Sequence, residues 1–341
     1  MSVRESVITY PSSDNVSEIH ALLWDAKGLK PQGIIQIVHG ASEHSERYRR
    51  LASFLVDRGF VVCSNDHIGH GKSVADKSKL GCMPSKTGKK ALVQDVDKLR
   101  ELVSDQYPSL PYIMLGHSMG SFILRVYLAT HAEDLAAIII SGTGQQPRAL
   151  SVFGNLLARL LSLIKGSEYK SALLHNLGMG ALSKSIPNAR TPFDWICTDP
   201  AVVDAYIEDE ACGMMFSVGA YEALTGLTGK MVTTRCARAI PNELPILFIA
   251  GTEDPVGEKG KGVTAAIEQL RFGGCTNIDM RFYSGMRHEV LNEPGREKVY
   301  FDITNWLESR FNQWIEIGSK PRQQPKKQPK KQPKKQKSSP E

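Results

Sequence analysis

Gly116-His117-Ser118-Met119-Gly120 sets a hydroxyl between two glycines at the spacing of a serine nucleophile. The apolar run at 112–115 suits a buried strand. Residues 121–129, with Phe122, Leu124, Val126 and Leu128, suit a buried helix. A strand–turn–helix elbow lifts the serine hydroxyl clear of the sheet. It needs both glycines, because a side chain at either would crowd the neighbouring strand or helix. The helix N-terminus favours negative charge, and the N–H of Met119, directly after the nucleophile, is one donor for an oxyanion.

A serine in such an elbow takes its acid, and then its base, from later in the chain. Of nine histidines, only His131, His175 and His288 follow Ser118. His131 falls on the helix that the serine opens, several residues on, and faces away. His175 lies in a segment without strand character and has no acid directly before it. His288 follows a strand-like run at 278–283 and a loop containing Gly285. The acid comes from the loop Gly251-Thr252-Glu253-Asp254-Pro255, which closes the apolar run 245–250. Parallel sheets carry their active residues at such strand ends. Asp254 is the expected acid, with Glu253 as its competitor.

Two further segments complete the pattern. His39-Gly40-Ala41-Ser42-Glu43-His44-Ser45-Glu46-Arg47-Tyr48 follows a buried-strand run at 34–38, and Asp66-His67-Ile68-Gly69-His70-Gly71-Lys72-Ser73 follows another at 60–64. They match H-G-x-x-E-H-S-x-R-Y and D-x-x-G-H-G-x-S. With the elbow, acid loop and histidine, the chain resembles the α/β-hydrolase superfamily over roughly residues 5–315. Within it, the likeness is to the monoacylglycerol lipase and lysophospholipase group, with an S33-type hydrolase domain. The resemblance implies Ala41 as the second oxyanion donor, and Glu43 and Arg47 at the polar end of a substrate pocket. Both are equally readable as a structural ion pair. Some monoacylglycerol lipases carry a second histidine three residues beyond the catalytic one, where this chain has Leu291.

The elements that must position these residues follow from periodicity. Apolar runs at 34–38, 60–64, 112–116, 136–140, 245–250 and 278–283 alternate with helical patterns at 47–58 and 91–107. That alternation predicts an α/β fold, a mostly parallel sheet flanked by helices. Residues 7–10 and 19–24 predict an N-terminal hairpin. The domain reading is a core at 1–145, a helical cap at 146–240, core again at 241–318, and a basic tail at 319–341. Residues 149–164 are mostly apolar and are broken by a single charge, Arg159. They suit a lid helix over an acyl pocket, lined by Leu156 and Leu160, or a helix packed inside the cap. Met214, Met215, Phe216 and Tyr221 could line the same pocket or pack in the core.

Composition narrows the function class. The 341 residues are 41% hydrophobic, enough for a large core. Six scattered cysteines without a C-x-x-C pair read as reduced thiols. His67-x-x-His70 lacks a third ligand nearby, and no zinc or phosphate-loop motif occurs. No metal or cofactor is expected. The start of the chain has no signal-peptide pattern and no run is long enough to span a bilayer, so a cytoplasmic location is expected. The formal charge of +6 is uneven: residues 319–341 carry +8, leaving −2 elsewhere. Their Gln-Pro-Lys-Lys repeats read as an extended arm, either passive or attracted to an anionic membrane surface, with nucleic acid the less favoured partner.

The expected activity is two-step hydrolysis of a small lipid ester, a monoacylglycerol or lysophospholipid. Ser118, Asp254 and His288 would be the triad, and Ala41 and Met119 the oxyanion donors. The alternatives are a short-chain carboxylesterase, an S33-type aminopeptidase, or a non-catalytic binding protein of the same fold.

Overall fold

The computed structural model describes residues 2–28 and 30–318, and the lysine-rich arm expected at 319–341 lies outside them. Eight strands form one sheet: β1 (Val3–Pro11), β2 (Glu18–Ala26), β3 (Gly33–Val38), β4 (Phe60–Asn65), β5 (Tyr112–His117), β6 (Leu135–Ser141), β7 (Ile246–Gly251) and β8 (Ile278–Tyr283). Their order is β1-β2-β4-β3-β5-β6-β7-β8. The β1–β2 and β2–β4 pairings are antiparallel, and the rest are parallel. The expected N-terminal hairpin is β1–β2, at one edge.

Every residue of β3, β4, β5 and β7 is buried. Continuous apolar strands such as Ile34-Ile35 and Leu247-Phe248-Ile249 are sheltered on both faces by helices. Each large aliphatic side chain buried there stabilises the fold by about 1.5–3 kcal/mol. Helices α1 (Arg49–Val56), α2 (Gly88–Gln106) and α3 (Met119–His131) lie between the first core strands. α1 starts at Arg49 because residues 45–48 form a tighter 3₁₀ turn. α2 starts before the expected residue 91, since Lys89 and Lys90 leave no apolar mark.

Between β6 and β7 the described residues form helices without a strand: α4 (Arg148–Lys165), α5 (Ala172–Leu177), α6 (Met179–Leu182), α7 (Pro200–Glu208), α8 (Val218–Met231) and α9 (Thr234–Arg238). α10 (Lys261–Gly273) and α11 (Arg296–Gly318) complete the chain's helices among the described residues. By compactness there are two units, Met1–Phe301 and Asp302–Glu341, and the described part of the second continues α11. This is the α/β-hydrolase fold that the motifs imply. No described helix is long and apolar enough to cross a membrane. All six cysteines are unpaired.

Register gathers the chemistry at one end of the sheet. Val38 pairs with Gly116, so the loop leaving β3 lies beside the turn leaving β5. His117 pairs with Ser141, and Gly251 with Tyr283, so the loops after β6, β7 and β8 open on the same side. At the elbow, a Cβ on Gly120 would sit 1.9 Å from the Val38 carbonyl oxygen, and one on Gly116 would sit 2.6 Å from that of Gly120. The backbones already touch there. Gly120→Ala should therefore destabilise the fold by roughly 2–3 kcal/mol, or prevent soluble expression, when unfolding is followed in denaturant. A variant as stable as the parent would show that the turn can open without cost.

Candidate active site

Ser118 occupies the N-cap of α3 with φ 52° and ψ −119°. A non-glycine residue held at positive φ costs on the order of 1–3 kcal/mol, and the packed elbow sustains it. Its N–H donates to the Ser141 carbonyl (2.9 Å), pinning the turn to the end of β6. His288 and Asp254 reach the site from the loops after β8 and β7, and both are buried. His288 Nδ1 donates to Asp254 Oδ1 at 3.0 Å, and the same oxygen accepts the Val256 N–H at 2.9 Å. This fixes the tautomer that leaves Nε2 as an acceptor, and Nε2 has no partner among the described residues. Glu253 instead pairs with Lys259 (2.8 Å) at the surface.

Burial alone would lower the His288 pKa. The charge and hydrogen bond of Asp254, with Glu289 and Glu43 behind it, raise it above 6.5. The neighbouring His117 ring, 4.7 Å away, behaves oppositely: burial, then the His288 charge, hold it down to about 3.

The loop after β3 approaches the nucleophile so closely that a Cβ on Gly40 would lie 3.0 Å from Ser118 Cβ. Its N–H groups are assigned differently. That of Gly40 donates to Glu43 Oε1, and that of Ser42 donates to His70 Nε2 (3.3 Å). No protein acceptor among the described residues takes the N–H of Ala41 or Met119. These are the two donors expected for an oxyanion.

Three neutral imidazoles brace this loop. His39 Nε2 accepts the His67 N–H (3.0 Å), so its Nδ1 donates to the Gly40 carbonyl (2.8 Å). His70 accepts from Ser42 and donates to the Ile68 carbonyl (2.9 Å). Burial depresses all three pKa values, that of His67 to about 3. His67 and His70 thus act as loop braces. Asp66 accepts the backbone N–H groups of Ser45 and Lys72 (2.8 Å each). Against burial, His20 and Ser45 bring its pKa to about 2.

A cavity of about 700 Å³ opens over Ser118, Met119, Ala41 and His288. Glu43 and Glu289 line it, and so do apolar residues of α4, α5 and α6.

A family model described as serine aminopeptidase, S33, matches residues 29–295. The chain belongs to this family. It is a serine hydrolase. Similar proteins include a monoacylglycerol lipase of Mycolicibacterium smegmatis, 28% identical over 82% of this chain and 89% of that one. A monoglyceride lipase of Homo sapiens is 26% identical over 84% and 86%. Among solved structures, a thermostable carboxyl esterase from Bacillus coagulans in complex with glycerol is 33% identical, with a TM-score of 0.83. That alignment covers 91% of this chain and 99% of the esterase.

Within this S33 frame, two sequence expectations need correction. Leu156 and Leu160 do not line the cavity and are 55% and 49% exposed. The α4 residues that do are Leu150, Ser151, Phe153, Gly154 and Leu157. Successive helical residues differ by 100°, which turns Leu156 away from Leu157, and Leu160 lies past the end of the lined stretch. Arg47 does not line the cavity either. Its guanidinium donates to Glu43 Oε2 and to both oxygens of Glu289, each at 2.7 Å. Of the 214–221 group, Met214 and Tyr221 line the cavity while Phe216 is core.

Sequence reasoning missed Glu289, His117, Trp195 and Tyr206. Glu289 had a signal, its place next to His288. Trp195, whose ring lies 5.1 Å from that of His288, had none. Tyr206 OH and the Gly213 N–H donate to the Ser42 carbonyl, stitching the cap segment to the β3 loop. His44, Asp209 and Cys212 are the one described group of three metal-type donors close together, and His44 Nε2 and Asp209 already pair at 2.8 Å.

Only neutral His288 can take a proton from Ser118. Because its pKa is raised, the ascending limb of kcat/KM against pH should centre above 6.5. Asp254→Asn should move that limb to lower pH and reduce the rate. A profile centred below 6.5 in the parent would contradict the geometry of the pair.

Proposed function

We propose that this serine hydrolase cleaves monoesters of long-chain acids, monoacylglycerols or lysophospholipids, through an acyl-enzyme on Ser118. The observation that carries this reading is the lining of the cavity. Apolar side chains of α4 and α5 and the carboxylates Glu43 and Glu289 share one cavity with Ser118 and His288, whose Nδ1 is bonded to the buried Asp254. His288 Nε2 takes the Ser118 proton as Oγ bonds to the ester carbonyl carbon. The carbonyl oxygen becomes negative against the N–H groups of Ala41 and Met119. His288 then protonates the leaving alcohol, and water repeats the cycle on the acyl-enzyme. The Ser118 φ fits this role, since strain held by the elbow keeps the hydroxyl aimed out of the sheet.

The acyl chain runs along α4. Leu150, Phe153 and Leu157, with Leu174 and Leu177 of α5, offer it an apolar wall. Named lipases and an esterase among the similar proteins support an ester substrate.

Ser118→Ala should lose fluorophosphonate labelling, and turnover of monooleoylglycerol should fall by about 10⁴-fold or more with an unchanged melting temperature. Retained turnover would end the assignment. Leu157→Asp should lower kcat/KM for an oleoyl ester relative to a butyryl ester by about tenfold, whereas Leu156→Asp should leave that ratio near the parent value. Equal effects of the two substitutions would show that the acyl chain does not lie along this face.

A further inference from the structure

β8 ends the sheet. Among the described residues it pairs with β7 alone, so its other side is an open strand edge. Register shows which residues face that edge. Ile246 N–H donates to the Asn277 carbonyl and Thr252 N–H to that of Tyr283, so residues 277, 279, 281 and 283 turn their backbone groups toward β7. Ile278, Met280 and Phe282 therefore point their N–H and C=O groups away from the sheet. An edge of this kind is a template for another strand, and proteins ordinarily blunt it with proline, lysine or a bulge. β8 contains neither proline nor lysine and pairs with β7 without a register shift. It also leaves Met280 (44%) and Phe282 (37%) exposed.

We propose that β8 is a self-association surface whose partner is β8 of a second copy of this chain, paired antiparallel about a two-fold axis at Met280. Outward residues must face outward residues for the two strands to bond. An axis at Met280 sets Met280 opposite Met280 and Ile278 opposite Phe282, and each facing pair exchanges both of its N–H···O bonds. The same register sets Asp279 opposite Arg281 on both sides of the axis, at the positions where facing Cα atoms are only about 4.5 Å apart. A slip of two residues is the smallest that keeps the backbone bonds. It sets Asp279 against Asp279 or Arg281 against Arg281, and like charges directly opposite are unfavourable. The charges of the strand thus select one register. Both residues also interact within their own chain, so the choice rests on which charge faces which across the axis. Ile278, Met280 and Phe282 share one face of the strand, and the two-fold joins those faces into a single apolar strip that pairing removes from water.

The test does not depend on the ester-hydrolase reading. The full chain is followed by sedimentation equilibrium at physiological salt. Its mass should rise from 37.6 kDa toward twice that value as concentration increases through the micromolar range. Arg281→Asp sets acid against acid beside the axis, and Asp279→Arg sets base against base. Each alone should weaken association by about tenfold or more. Mixed one to one, these two variants should dimerise with each other, because every acid then faces a base. A chain carrying both substitutions should dimerise by itself, its charges exchanged but still complementary. Melting temperature and turnover confirm folding in each sample. A parent that stays monomeric, single variants that associate as well as the parent, or a mixture that stays monomeric would each overturn the proposal. Should a single variant fail to fold, Met280→Asp at its exposed position brings like charges together on the axis itself and should abolish the dimer. Association of that variant at parental strength would equally overturn it.

Discussion

Arg47 sits between two carboxylates that belong to different parts of the chain. Glu43 is in the loop after β3, and its Oε1 holds the Gly40 N–H. Glu289 directly follows His288. One guanidinium therefore ties the loop carrying Ala41 to the loop carrying His288. Burying three ionised groups is costly, and removing one leaves the others uncompensated. The arrangement persists because each group is fully engaged. Burial alone would weaken the Arg47 charge, yet Glu289 and Glu43 hold its pKa well above the ordinary value. Burial likewise disfavours the Glu289 charge, and Arg47 restores it. The relative positions of Ala41, Ser118 and His288 depend on this clamp.

How much of this was legible in the sequence depends on the range over which each feature is specified. The elbow is local. Two glycines, a preceding apolar run and a following helical pattern name Ser118 without knowledge of anything distant. Asp254 and His288 are legible as residues at the ends of strand-like runs, because a parallel sheet gathers such ends together. Glu289 is not legible in that way. A glutamate in a charged stretch ordinarily faces water, and only the fold brings Arg47 to it from far along the chain. The motif containing Glu43 and Arg47 suggests direct contact with substrate. Yet Arg47 gives three of its five N–H donors to the two carboxylates and does not line the cavity.

The helix α4 shows a different limit. Ser151, Asn155, Arg159 and Ser162 recur every three or four residues and mark one polar stripe along an otherwise apolar helix. Which residues see the cavity is decided by its packing on α8, where Ser151 Oγ meets Thr228 and Asn155 Nδ2 meets Glu222 and Thr225. Those polar contacts rotate Leu157 inward and leave Leu156 outside. Apolar content identified the helix as unusual, but the polar residues set its orientation.

The imidazoles that brace the β3 loop carry a consequence for life in acid. His39, His67 and His70 hold their hydrogen bonds as neutral rings, and protonation would force two donors to face each other. Their pKa values are lowered from 6.5, that of His67 to about 3, whereas that of His288 is raised. Acidification thus reaches His288 before it reaches the imidazoles that hold the loop, and the brace outlasts the neutral His288 ring.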